Sequence, residues 1–154
     1  MVQEESRRAA RKHAFQVLYG LFFSDVASEA DLIRAFYECP QDGDSTDIVG
    51  RGDEPQGFAW ELAHGVWTRR EALDEVVARF SQHWRVGRIA KIELTILRLA
   101  LFEMLHRTDV PVKVAINEAI ELAKQFGDDN SRGFVNGILD AAAKAIEHGE
   151  IGIS

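Results

Sequence analysis

Apolar residues recur along this chain every three to four positions, the spacing that places them on one face of an α-helix. Alternating apolar and polar runs bounded by turn residues, which would indicate strands, are almost absent. We therefore expect an all-α fold of six to seven helices. The predicted helices cover residues 6–23, 28–39, 55–84, 88–106, 111–126 and 131–148.

Local signals mark several helix ends. Ser28 and Asp31 have the spacing of a capping box with Asp in place of Glu, so the second helix should begin there. Pro111 suits a first helical turn, and Gly127 suits a helix stop. Residues 41–56 are rich in Asp, Gly and Ser, which is typical of a mobile loop.

Composition narrows the class of protein. With 154 residues, 46% hydrophobic and 28% charged, the chain should form one ordinary globular domain over residues 1–154. No run approaches the roughly 18 apolar residues of a membrane span, and the charged N-terminus lacks a signal peptide's apolar region. Cys39 is the only cysteine, which excludes an internal disulfide and a cysteine-based zinc site. We expect a cytoplasmic protein with no membrane partner.

The charge distribution matters more than the net charge of −7. Residues 25–61 hold ten acids and two bases, whereas residues 6–23 hold four bases and no acid. The four bases are Arg7, Arg8, Arg11 and Lys12. An acidic surface repels polyanions, so any RNA should bind at the first helix and weakly elsewhere.

The first helix separates into two faces. Ala10, Ala14, Val17 and Leu21 form its core stripe, and a neighbouring face carries Arg8, Arg11 and Lys12 followed by Phe15, Tyr19 and Phe22. Cations followed by aromatic rings suit single-stranded RNA, because cations neutralise phosphates and rings stack on bases. In the alternative interpretation, the aromatic residues belong to the core and the bases are merely solvated.

Two Glu-x-x-His pairs, Glu61/His64 and Glu103/His106, are the other candidate chemistry. Helical di-metal proteins combine two such pairs with two further carboxylates from other helices. This sequence offers no clear candidate for the second of these carboxylates. The chain also lacks a P-loop, a G-x-G-x-x-G and a G-x-S-x-G motif. We expect no metal, no cofactor, no catalytic residue and no enzymatic activity.

Four segments carry a resemblance to a known family: RRAARKHAFQVLY, ILRLALFEML, DVPVKVAINEAIELAKQFG and FVNGILD. Through them the chain resembles the NusB family of bacterial transcription antitermination factors over nearly its full length. The resemblance implies two small helical bundles packed as one domain, here about residues 6–84 and 88–148. It also implies binding to boxA RNA in ribosomal RNA operon leaders. NusE, the tenth small-subunit ribosomal protein, is the implied partner, and other Nus factors and RNA polymerase are implied indirectly.

The resemblance also implies site residues. Arg7, Arg8 and Arg11 match the family's basic motif, Tyr19 matches its first-helix tyrosine, and Lys12 stands where some members have an acid. These five residues are the predicted RNA-binding set.

Glu93 and the loop formed by Asp128, Asp129 and Asn130 are the predicted contacts to NusE. An acidic loop suits a basic ribosomal protein, although a solvated interhelical turn would explain the loop equally well.

Two alternatives stay open. NusB-like domains also occur fused to an rRNA cytosine methyltransferase, but this sequence reaches Ser154 without a nucleotide-fold segment or an S-adenosylmethionine loop. A helper domain related to that enzyme is therefore the second hypothesis.

The apolar and aromatic surface of the first helix could also pair with another copy of the chain, giving a homodimer with a hidden RNA face.

Overall fold

Within the described part of the chain, the regular structure consists of seven α-helices and two short 3-10 turns. The computed structural model describes residues 2–40, 55–81 and 85–151, and for residues 2–6 it describes the backbone alone. The helices are α1 (Val2–Gly20), α2 (Glu29–Glu38), α3 (Phe58–Thr68), α4 (Arg70–Phe80), α5 (Lys91–His106), α6 (Val112–Phe126) and α7 (Ser131–Glu147). Short 3-10 turns cover Leu21–Phe23 and Val86–Arg88, and these three ranges contain no strand. The all-α prediction is confirmed.

The chain divides into two compact units, Met1–Trp67 and Thr68–Ser154. The sequence predicts one long helix over 55–84, and the family resemblance implies a division at residues 84–88. That helix is instead two helices, broken at Arg69, whose backbone leaves helical geometry (φ −112°, ψ 15°). Residues 68–71 (Thr-Arg-Arg-Glu) are all exposed, so tertiary packing does not hold a continuous helix together there. Residues 41–54 of the loop predicted at 41–56 lie outside the described residues.

The core of the first unit combines aliphatic and aromatic side chains. Buried side chains come from α1, α2 and α3: Ala14, Phe15, Val17, Leu18, Leu32, Phe36, Trp60, Leu62, Ala63 and Val66. The Phe36 ring lies edge-on to both His13 (4.5 Å) and Trp60 (5.4 Å), so one residue of α2 contacts the other two helices.

The predicted capping box at the start of α2 is confirmed. Ser28 Oγ accepts from the Asp31 backbone N–H at 3.3 Å, while Asp31 Oδ2 accepts from the N–H groups of Ser28 and Ala27 at 3.2 and 3.1 Å. These bonds satisfy N–H groups that otherwise have no partner at a helix start, and they lower the pKa of Asp31.

Helix α5 is the centre of the second unit. Eleven of its sixteen residues, all between Leu94 and Leu105, are buried, because it packs against α4, α6 and α7. Arg98 interrupts this run and pairs in bidentate fashion with Asp74 of α4, both N···O distances being 2.7 Å. Helix α7 packs against α4, α5 and α6 and buries Val135, Ile138, Leu139 and Ala142. Phe134 and Ile146 of the same helix are only partly buried.

Among the described residues, no helix combines the length and the apolar character that crossing a membrane requires.

Candidate nucleic-acid interface

All five predicted RNA-binding residues lie on α1, but they differ in exposure. Arg8 is exposed, and Arg7, Lys12 and Tyr19 are partly exposed. Arg11 is only 4% exposed. Its side chain is therefore part of the interior of the first unit, and its role in RNA binding stays a prediction.

Arg11 is buried against an aromatic ring. Its guanidinium carbon lies 5.1 Å from the centre of the Phe58 ring, and that of Arg7 lies 4.4 Å from the same centre. Phe58 is the first residue of α3, so this contact joins the start of α3 to the start of α1. The negative face of an aromatic ring attracts cations, which helps a charged group to tolerate burial. The sequence pattern did not predict this role for Phe58.

The aromatic residues on this face differ from those that the sequence predicts. Phe15 is 1% exposed and belongs to the core, as the alternative interpretation held. Tyr19 stacks on Phe15 with nearly parallel rings (5.9 Å, 4°) and contacts Phe23 edge-on (5.2 Å, 72°). Phe23 is 65% exposed, whereas Phe22 is partly buried. An α-helical period predicts Phe22 for this face, but residues 21–23 form a 3-10 turn with about three residues per turn.

One stripe along α1 therefore combines cations and rings. Arg8, Lys12 and Tyr19 follow one another on α1 at intervals of four and seven residues, which keeps them on one helix face. Phe23, in the 3-10 turn after α1, extends this face through its edge-on contact with Tyr19. From Arg8 to Tyr19 the stripe extends roughly 16 Å along the helix axis. We call these four residues the α1 stripe. It can hold a chain of phosphates at one end and stack a base at the other.

A buried histidine lies on the same helix. His13 is 5% exposed, and neither ring nitrogen has a hydrogen-bond partner among the described residues. Burial lowers the pKa of His13, which favours its neutral form. Sequence reasoning missed this residue because a histidine between Lys12 and Ala14 carries no distinctive pattern.

The Glu-x-x-His pairs do not form a metal centre in the described residues, where no three His, Cys, Asp or Glu side chains come together. His64 pairs instead with Glu29 of α2 (Nε2 to Oε1, 2.6 Å) and stacks on Trp60. Glu103 is buried within α5. The di-metal alternative thus gains no support.

The predicted NusE contacts lie in the second unit. Glu93 is partly buried in the first turn of α5, and Asp128, Asp129 and Asn130 are exposed. Asp128 also has a local role, because its Oδ1 accepts from the backbone N–H groups of Asn130 (2.9 Å) and Ser131 (3.2 Å). Ser131 Oγ in turn accepts from the Asp128 N–H at 3.0 Å. This reciprocal cap starts α7, so Asp129 and Asn130 are the better candidates for a partner.

Gly127 ends α6 for a different reason from the one we expected. Its φ of −93° is open to any residue, so a left-handed conformation is not what requires glycine. A Cβ there would lie 2.5 Å from Ser131 Oγ and 2.9 Å from the Ala123 carbonyl oxygen. The close approach of the α7 cap therefore requires glycine at this position.

The fold and this surface define a class: an all-helical protein with one cationic and aromatic helix face and no metal cluster among its described residues. A family model described as the NusB family matches residues 8–144. The chain belongs to the NusB family.

Relatives named transcription antitermination protein NusB match over nearly their whole length. The protein of Oleidesulfovibrio alaskensis is 62% identical over 148 residues, 95% of this chain and 92% of the relative. That of Nitratidesulfovibrio vulgaris Hildenborough is 59% identical over 146 residues, 95% of this chain and 93% of the relative.

Solved structures share the fold. NusB of T. maritima superposes with a TM-score of 0.72 at 30% identity, over 94% of this chain and 97% of that one. A structure described as antitermination factors NusB and NusE in complex with dsRNA gives a TM-score of 0.68 at 23% identity, over 90% and 96%.

Proposed function

We propose that this protein is a transcription antitermination factor that binds boxA RNA of ribosomal RNA operon leaders together with NusE. The RNA-binding part of this proposal rests on the α1 stripe. Family membership and the names of relatives at 59 and 62% identity support the antitermination half. The role is one of binding and regulation rather than catalysis, carried out in the cytoplasm where transcription takes place.

Binding would use the two ends of the α1 stripe differently. Arg8 and Lys12 neutralise phosphates and release counterions, which gives affinity without sequence preference. Tyr19 and Phe23 offer faces on which unpaired bases stack. Arg7, partly exposed one residue before Arg8, adds a third cation to the same end.

NusE would complete the RNA surface. The related structure described as NusB and NusE with dsRNA supports this choice of partner. Asp129, Asn130 and Glu93 are the proposed contacts, because acidic and amide side chains complement a basic ribosomal protein. Through that complex the protein would act with other Nus factors and RNA polymerase to suppress premature termination.

The experiment that tests this proposal is fluorescence anisotropy with a boxA-like RNA and a scrambled RNA, with and without NusE, over a salt series. We expect tighter and sequence-selective binding when NusE is present. Equal, weak binding to both RNAs in all conditions would contradict the proposal. In that case, analytical ultracentrifugation would test whether α1 pairs with α1 of a second copy of the chain and so covers the aromatic end of the α1 stripe.

A further inference from the structure

The Phe58 ring lies against two like charges. Arg7 and Arg11 are one turn apart on α1, a spacing at which two cations repel each other. Their guanidinium carbons nevertheless converge on one ring, at 4.4 and 5.1 Å from its centre. The ring's negative face attracts both cations and so opposes their mutual repulsion.

The two arginines differ in what they offer to a ligand. Arg11 is buried, so its contact with Phe58 lies within the first unit. Arg7 and Phe58 are both partly exposed, so the Arg7 guanidinium is held at the surface. Arg7 also directly precedes Arg8, the exposed cation that begins the α1 stripe.

We propose that Phe58 is a positioning residue for RNA binding, which holds the Arg7 guanidinium at the phosphate-binding end of α1. This inference rests on the proposed function. A free arginine side chain has many rotamers, and it loses that freedom when it binds a phosphate. An arginine already held by a ring loses less, so the same contact gives tighter binding. Phe58 would act through Arg7 rather than by touching RNA.

Substitutions at position 58 separate the ring's charge distribution from its bulk. Phe58→Leu keeps an apolar side chain and removes the ring, and we expect boxA-like RNA to bind about fivefold more weakly, the scale of the entropy lost when an arginine side chain that no ring holds is immobilised on binding. Phe58→Tyr keeps the ring and should bind as the wild type does. Fluorinated phenylalanines at position 58 keep the shape of the ring and weaken its negative face, so affinity should fall stepwise with fluorination even if Phe58→Leu does not fold.

A double-mutant cycle tests whether Phe58 acts through Arg7. Arg7→Ala should weaken binding by itself, and Phe58→Leu should add nothing once Arg7 is gone. A merely structural role would instead weaken binding by the same factor in both backgrounds. The matched charge control is Arg34→Ala, on the face of α2 opposite the buried Leu32 and Phe36.

The outcomes distinguish this inference from the proposed function. If wild-type protein binds boxA-like RNA selectively but the cycle is additive, or fluorination leaves affinity unchanged, the role of Phe58 is overturned and the proposed function stands. If the wild type shows no selective binding, both are overturned. Selective binding with a non-additive cycle and a stepwise fluorination effect supports both.

Discussion

Arg8 and Arg11 are three residues apart in one basic segment. The structure predicts that removing Arg8 affects RNA binding, whereas removing Arg11 affects the stability of the fold. Arg8 is exposed and belongs to the α1 stripe, so Arg8→Ala should remove one phosphate contact. For single-stranded nucleic acid, each contact contributes about 0.7 to the slope of log affinity against log salt. The slope should therefore become shallower by about 0.7, and an exposed substitution should change the free energy of unfolding by less than about 0.5 kcal/mol.

Arg11→Ala should act on folding instead. Arg11 is 4% exposed and lies over Phe58, so its loss removes buried packing and a cation–π contact. We expect the free energy of unfolding to fall by about 2 kcal/mol, which in a chain of this size lowers the melting temperature by roughly 4–8 °C. The salt slope of RNA binding should stay at the wild-type value, because a buried guanidinium contacts no phosphate.

Anisotropy over a salt series and thermal melts of the same samples measure both quantities. Arg34→Ala, an exposed charge loss on α2, is the control and should change neither. The reasoning is refuted if Arg11→Ala lowers the salt slope as much as Arg8→Ala while its melting temperature is unchanged. An unchanged slope for Arg8→Ala would remove Arg8 from the interface.

Three further predictions concern stability. Gly127→Ala should cost about 2 kcal/mol, because the new Cβ would meet Ser131 Oγ at 2.5 Å. Asp74→Ala should cost about 1–2 kcal/mol by leaving Arg98 without its bidentate partner in a partly buried site. Because burial lowers the pKa of His13, the unfolded chain takes up the proton first as pH falls. The free energy of unfolding should therefore decrease below a pH of about 6.5, and less so in His13→Leu.

Denaturant melts check all three, each with its own comparison. Gly133→Ala is the control for Gly127, because a Cβ there meets nothing within 4 Å and should stabilise α7 by about 0.5–1 kcal/mol. Glu121→Ala breaks an exposed pair with Lys124 and should have almost no effect, in contrast to Asp74→Ala. Equal pH dependence in wild type and His13→Leu would show that other groups control the acid response.

The features predicted correctly from the sequence are those whose cause is local. The capping box at Ser28 and Asp31 needs only four consecutive residues. The end of α6 at Gly127 was also located, although for the wrong reason, since the cause is the approach of Ser131 from the next helix. Tertiary causes were missed altogether: the burial of Arg11 depends on Phe58, which is 47 residues away in the sequence. No periodicity within α1 carries that information.

The acidic remainder of the chain explains why single cations on α1 should have measurable effects. At physiological salt the Debye length is about 8 Å, half of the roughly 16 Å between Arg8 and Tyr19 along α1. Each cation therefore acts on nearby phosphates and not on the whole RNA. The whole chain, with these cations included, has a net charge of −7, so its surface outside α1 is on balance acidic and does not compensate for a lost contact. In a basic protein, many other weak cation–phosphate contacts would reduce the measured effect of losing Arg8 on RNA affinity. In this protein, few other contacts can replace those of the α1 stripe.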